Sequence, residues 1–183
     1  MESHKSHEET ARSRAPGMSN VLYSLSWFMI VVFGLIAAML LNTIFMGFDI
    51  VPIVIFVISG GLAFLIWRKK DNLRVEYDYT YTHIGGGRAD LDVAKVMGNA
   101  RRRLMTSLSL SAVESAGVVN HPSFQRYLTM KDVKKHNWFV NRGADLFYFY
   151  FVKNNVKHMI ILELSETMVE RVKQHFGHGV WQK

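Results

Sequence analysis

The pattern of apolar and polar positions divides the chain into three parts. From Val21 to Trp67 nearly every position is Leu, Ile, Val, Phe, Met, Ala or Gly, and between Arg14 and Arg68 the only charged residue is Asp49. A chain of this size cannot hide such a run inside itself, and a bilayer is the natural solvent for it. The one break is Met46-Gly47-Phe48-Asp49 followed by Pro52, and Asp and Pro both suit a helix start. The pattern therefore predicts a transmembrane hairpin over residues 20–68, with helices at about 20–45 and 50–67. At about 1.5 Å per residue these extend roughly 39 and 27 Å, against a hydrocarbon core of roughly 30 Å. Gly34 and Gly60-Gly61 are candidates for close helix approach. A cleaved signal peptide is disfavoured, because the apolar stretch is too long, starts late and lacks a small-x-small site.

Residues 1–19 show no apolar periodicity and read as a disordered tail, in which His4 and His7 find no further metal ligands. Beyond Lys70 the period changes from helix to strand. Val75, Tyr77, Tyr79 and Tyr81 alternate with Glu76, Asp78, Thr80 and Thr82. Gly85-Gly86-Gly87 then turns the chain into Ala89, Leu91 and Val93, which alternate with Asp90 and Asp92. Lys95–Arg103, with Gly98 and Asn99, reads as a basic connector. Leu104, Thr106, Leu108, Leu110 and Ala112 supply the next inward face, and the same parity sends Arg101 and Arg103 outward with Met105, Ser107, Ser109 and Ser111. Glu114–Asn141 is less regular, with a short helix suggested by Phe124, Tyr127 and Leu128 and a strand by Trp138-Phe139-Val140. Leu146–Val152 and Val156–Leu164 are strands around Lys153-Asn154-Asn155. Ser165 caps a closing helix of about Glu166–Phe176, whose stripe is Met168, Val169, Val172 and Phe176.

Charge adds orientation. The net charge is +7, and Arg68 onward holds 19 Lys and Arg against 11 Asp and Glu. Arg12 and Arg14 precede the hairpin, Arg68, Lys69, Lys70 and Arg74 follow it, and its tip carries no base. By the positive-inside rule this predicts a multi-pass plasma-membrane protein with both termini in the cytoplasm. Trp27 and Trp67 sit near the two cytoplasmic helix ends, where interfacial indoles belong. A basic segment at a membrane exit favours anionic headgroups over nucleic acid, and makes Arg68, Lys69, Lys70, Arg74, Arg101 and Arg103 the candidate lipid contacts. With no cysteine, disulfides, thiolate metal sites and thiol catalysis are excluded.

Several antiparallel strands closed by one amphipathic helix resembles the pleckstrin-homology-like (PH-like) barrel, and a two-helix membrane hairpin upstream resembles the bacterial PH-like membrane proteins. Three segments carry a closer resemblance to a family of small bacterial membrane proteins of unknown activity. They are Glu76-Tyr77-Asp78-Tyr79 with Ala89-Asp90-Leu91-Asp92-Val93, then Arg101-Arg102-Arg103-Leu104, then Ile160-Ile161-Leu162-Glu163 leading into the last helix. The resemblance covers about Asn72–Phe176 and implies an α+β PH-like domain at 72–183 in the cytoplasm. It brings no functional residues, and Glu114–Asn141 departs from its usual short strands.

Little chemistry stands out. His175 and His178 make an H-x-x-H broken by Gly177, and Asp78, Asp90 and Asp92 are more simply a solvated strand face than a cation site. No Ser-His-Asp order, phosphate loop or H-E-x-x-H is present, and no ionisable residue sits at mid-depth in either span. The expectation is a non-enzymatic, membrane-tethered interaction module without metal or cofactor. Its PH-like domain would contact a protein partner, a second copy, anionic lipid or several of these. An accessory subunit of a larger membrane complex is the alternative, and a lipid-acting enzyme using Asp90, Asp92 and the histidines is a third.

Overall fold

A computed structural model describes residues 6–14, 16–47, 50–98 and 101–182. The chain divides into two units: Ala15–Val75, and Met1–Arg14 together with Glu76–Lys183. The tip residues Phe48 and Asp49, and also His4 and Asn99, lie outside the described residues.

The first unit is helical. Helix α1 spans Pro16–Met46 and α2 spans Ile50–Lys69, so both run longer than the apolar pattern predicts. They pack along one another and are followed by a 3-10 turn at Lys70–Arg74. Both are long and apolar enough to cross a membrane, by length and composition. Their apolar side chains point outward: α1 buries no residue and α2 only Ser59, whose hydroxyl donates to the Ile55 carbonyl at 2.8 Å. The expected glycine contacts are absent. A Cβ placed on Gly34, Gly60 or Gly61 would meet nothing within 4 Å, so these residues are not packing notches.

Among its described residues the second unit contains two sheets and two short α-helices. Strands β1 (Ser6–Ala11), β2 (Val75–Gly85), β3 (Arg88–Met97) and β4 (Arg101–Ser109) form a four-stranded sheet in that order. The alternating tyrosines of β2 point inward as the period requires, and Tyr77, Tyr79 and Tyr81 are buried. Gly86 and Gly87 turn the chain with φ of +61° and +75°, a left-handed geometry that explains the glycine run.

The disordered tail expected at 1–19 is corrected here. Ser6–Ala11 pairs antiparallel with β2, with Ser6 opposite Thr82 and Ala11 opposite Tyr77. No apolar alternation announces β1, because polar groups hold it. Thr10 donates to Asp78 at 2.8 Å, Arg102 reaches Glu8 at 2.6 Å, and Arg12 pairs with Glu76 at 3.2 Å. Glu9 accepts from the Ser165 amide and hydroxyl at 3.0 and 2.5 Å. Asn141 holds the chain just beyond the strand, accepting from the Arg14 amide and donating to the Arg12 carbonyl.

After a 3-10 turn at Leu110–Ala112, the chain enters β5 (Val113–Val118), α3 (Pro122–Thr129), β6 (Val133–Trp138), β7 (Leu146–Lys153), β8 (Val156–Glu163), α4 (Glu166–Lys173) and β9 (Trp181–Gln182). The second sheet has the order β6-β8-β7-β5-β9. The β7–β8 turn uses Asn154 and Asn155 at φ of 52° and 58°, a conformation Asn tolerates better than most side chains. One face of this sheet packs Tyr148, Tyr150, Met159 and Ile161 with Phe124 of α3 and Val133. Met168, Val169 and Val172 are the buried stripe of α4, which Ser165 caps by accepting from the Met168 amide.

The architecture differs from an antiparallel barrel closed by its last helix. The β6–β8 and β5–β9 pairs are parallel, and neither sheet closes on itself. Helix α4 stops at Lys173, so Phe176 lies beyond it, ring to ring with Phe149 and Trp181. The chain then runs on to β9, which lies so close that a Cβ on Gly117 would stand 2.9 Å from the Gln182 carbonyl oxygen.

Candidate functional site

The basic residues after α2 come from a helix end that turns tightly. Arg68 and Lys69 are exposed in its last turn, where cations complement the helix dipole. Lys70 and Arg74 do otherwise. Lys70 is only 8% exposed, pairs with Asp71 at 2.7 Å, and holds its ammonium 4.9 Å from the Trp27 ring and 5.7 Å from Tyr23. The Arg74 guanidinium lies 3.9 Å from the Tyr23 ring, with its Nε buried and without a hydrogen-bond partner among the described residues. Such cation–π contacts are worth about 0.5–1 kcal/mol when exposed and about 2 when desolvated. Of the four bases expected to face headgroups, Arg68 and Lys69 are thus exposed, with no ion pair among the described residues, and Lys70 and Arg74 are folded onto Tyr23 and Trp27 of α1. The sequence holds the signal, Tyr23 and Trp27 one helical turn apart, but the pairing becomes visible only once the 3-10 turn is known.

Arg101 and Arg103 are placed differently from their predicted parity. Val93 pairs with Thr106 and the next residue, Ala94, pairs with Leu104, so Met105 is an extra residue in β4. The bulge reverses the alternation beyond it. Leu104, expected inside, is 61% exposed. Arg102 takes the outer face, reaching Glu8 at 2.6 Å and Asp78 at 3.4 Å, while Arg101 and Arg103 sit opposite Met97 and Lys95. Both remain exposed, with no ion pair among the described residues.

Of the other candidates, Asp78 and His175 are occupied, whereas Asp92, expected on a solvated face, has its Oδ1 buried without a hydrogen-bond partner among the described residues. Asp78 is taken by Thr10 and Arg102. His175 Nδ1 donates to the Gly87 carbonyl at 3.1 Å, which leaves Nε2 to accept from the Tyr81 hydroxyl at 2.6 Å. His178 is exposed and does not join it. Among the described residues no group of three or more His, Asp and Glu is placed to hold a metal ion.

Two polar clusters escaped the sequence reading. His136 on β6 and His158 on β8 stand with ring nitrogens 3.4 Å apart, flanked by Trp138 and Phe151. Burial pushes both imidazoles below their ordinary value; Lys134 adds to this for each, and His136 and Lys153 add to it for His158. The second cluster is a chain of hydroxyls. His121 Nδ1 accepts from the Ser123 amide at 3.2 Å and so takes the Ser123 hydroxyl proton at 2.7 Å. Ser123 Oγ is then free to accept from Tyr148 at 2.5 Å, and Tyr148 in turn from the buried Ser115 at 3.1 Å. This chain caps α3 and fastens it to the sheet.

The described residues thus combine one antiparallel sheet, one mixed sheet and two long apolar helices that precede most of them in the chain. Residues 24–182 match the bacterial PH-like domain family (DUF6106), and the chain belongs to that family. The match begins inside α1, so it takes in both apolar helices as well as the sheets. No curated protein and no solved structure gives a significant match to the chain.

Proposed function

We propose that the protein is a non-enzymatic, membrane-tethered interaction module of the plasma membrane. Helices α1 and α2 anchor it, and a PH-like domain with α4 as its closing helix meets a protein partner or anionic lipid in the cytoplasm. The observation that carries this reading is the placement of positive charge: bases flank the two apolar helices on both sides, and Arg68, Lys69, Arg101 and Arg103 are left exposed. A second observation supports the topology. Strand β1 precedes α1 and β2 follows α2, and the two strands pair, so the chain must return to the side from which it entered.

Reporter fusions at Met1, at the α1–α2 connection and at Lys183 test the anchoring and should read cytoplasm, exterior and cytoplasm. A cytoplasmic connection, or termini on opposite sides, overturns it. Solubilised native membranes should then yield the full chain with a bound partner or anionic lipid, weakened by Arg101→Glu with Arg103→Glu. Wild-type recovery without either overturns the interaction role.

A further inference from the structure

The histidine pair of the second sheet has a geometry that an interaction role leaves unused. Strands β6 and β8 run parallel with His136 opposite Ile160, which puts His136 and His158 on one face of the sheet. Their ring centroids are 5.6 Å apart and their planes differ by 17°, while Nε2 of His136 and Nδ1 of His158 are 3.4 Å apart. The two nitrogens therefore lie between the rings and face one another. At that distance an N–H···N bond is a long one. Neither ring has another hydrogen-bond partner among the described residues. Stacking sets the ring planes instead: Trp138 lies 4.9 Å from His136 at 21°, and Phe151 lies 5.4 Å from His158 at 13°. Both imidazoles are half-buried, open enough to be reached from solvent and held in the neutral form that a metal ion requires.

The spacing itself selects a kind of ligand. A tetrahedral ion with metal–nitrogen bonds of roughly 2.0–2.1 Å holds two nitrogens about 3.3–3.4 Å apart. A square-planar ion with the same bonds would hold adjacent nitrogens only about 2.8–3.0 Å apart. We propose that His136 and His158 form a two-imidazole chelate for a tetrahedral divalent ion of the zinc class, a small swing of each ring bringing both lone pairs onto it. No third His, Asp or Glu completes the set among the described residues, so two positions are left to water or to an anionic ligand, as in an open site and unlike a closed structural one. The charged groups whose field reaches the pair are Lys134, for both rings, and Lys153, for His158. They oppose a bare divalent charge and favour an ion that brings an anion with it. The site lies wholly within the second unit and is independent of the membrane anchoring proposed above.

The test uses the full chain in a neutral detergent, stripped with a chelator and titrated with Zn(II) by calorimetry, with Co(II) as the spectroscopic stand-in. Wild type should take up one zinc ion per chain, half-saturating in the micromolar range, because two imidazoles are half of a closed zinc site. His136→Gln and His158→Gln should each weaken that uptake at least about tenfold, since even the loss of an outer-shell partner costs a metal site about 10–100-fold. His178→Gln, an exposed histidine elsewhere, should leave it unchanged. Lys134→Gln removes a charge and no ligand, and should tighten binding roughly two- to fourfold. The Co(II) form should show the intense visible bands of a tetrahedral ion. Wild type without saturable uptake, equal uptake by a natively folded double Gln variant, or the faint spectrum of octahedral Co(II) each overturns the inference. Should the Gln variants lose their native near-ultraviolet spectrum, the Co(II) spectrum of wild type and the shift in Lys134→Gln decide it: faint bands together with unaltered affinity overturn the site.

Discussion

Two stretches of this chain are almost equally apolar and do opposite things with it. In α1, thirty-one residues long, no side chain is buried, whereas Phe147–Phe151 of β7 are five consecutive buried residues. The difference lies in what each stretch can cover within its own unit. Strand β7 is sandwiched: Tyr148 and Tyr150 face the cluster under α3, and Phe147 and Phe149 face Trp181 and Phe176. Helix α1 packs chiefly against α2 and the turn behind it, so within its own unit most of its apolar surface stays uncovered. Composition alone does not separate a core from a membrane span. Length and the presence of a covering layer do.

The comparison can be broken most sharply by truncating each stretch in turn. Phe149→Ala should cost about 3–5 kcal/mol, as a fully buried ring replaced by a cavity. Leu35→Ala, on an exposed face of α1, should stay within about 0.5 kcal/mol. Denaturant unfolding of the full chain in detergent, followed by tryptophan fluorescence, measures both. If the two substitutions cost the same, the contrast in burial is wrong.

A smaller effect is expected at the polar seam. Ser165→Ala removes both the cap of α4 and a contact with Glu9 of β1, and should cost about 1 kcal/mol by the same unfolding measurement. An unchanged midpoint would mean that β1 and α4 are not coupled through Glu9.

The histidine pair sharpens the comparison with pH. Because the folded state lowers the affinity of His136 and His158 for protons, the unfolded chain binds more protons just below pH 6.5, the ordinary imidazole value. Stability should therefore decline as pH falls through about 6.5 towards the depressed folded values, and hold above it. Replacing both residues with Gln should flatten that part of the profile. A pH-independent midpoint in the wild type, or an undiminished slope in the double variant, would show that the pair is not the source. The smallest effect belongs to the surface. Lys157 and Asp132 pair at 2.5 Å, the contact raising the proton affinity of the ammonium and lowering that of the carboxyl, yet both side chains are exposed. Asp132→Ala should leave the unfolding midpoint unchanged at moderate salt, and a clear drop would show a buried role that the geometry does not contain.

What the sequence revealed follows from which force holds each element. The two long helices, the β2–β3 hairpin, β7, β8 and the buried stripe of α4 are apolar patterns with a period, and a period is readable. Strand β1 carries only Ala11 as a buried apolar residue, and its contacts are Thr10, Glu8 and Glu9 to residues far along the chain. Nothing local marks such a strand. The bulge at Met105 was equally hidden, because parity counting assumes an unbroken ladder, and one extra residue sends Leu104 outward and Arg102 into the Glu8–Asp78 pair. The parallel β6–β8 pairing brought His136 and His158 together, and a long-range register cannot be read from single strands. For the candidate site, the bases were legible as charges after an apolar run. Their division into exposed Arg68 and Lys69 and ring-bound Lys70 and Arg74 depended on a turn geometry with no sequence mark.

The pairing of β1 with β2 also sets an order of events during synthesis. Strand β1 leaves the ribosome first, but its partner follows only after both apolar helices have been made. At roughly 5–20 residues per second, the roughly 65 residues between Ala11 and Tyr77 impose a wait of several seconds. Throughout that interval β1 is a charged segment without its partner strand. The first sheet can be completed only when both long helices and β2 have been made. A nascent chain that stops short of Tyr77 leaves β1 without a strand to join, so the folded sheet is itself the record of a chain completed past both long helices.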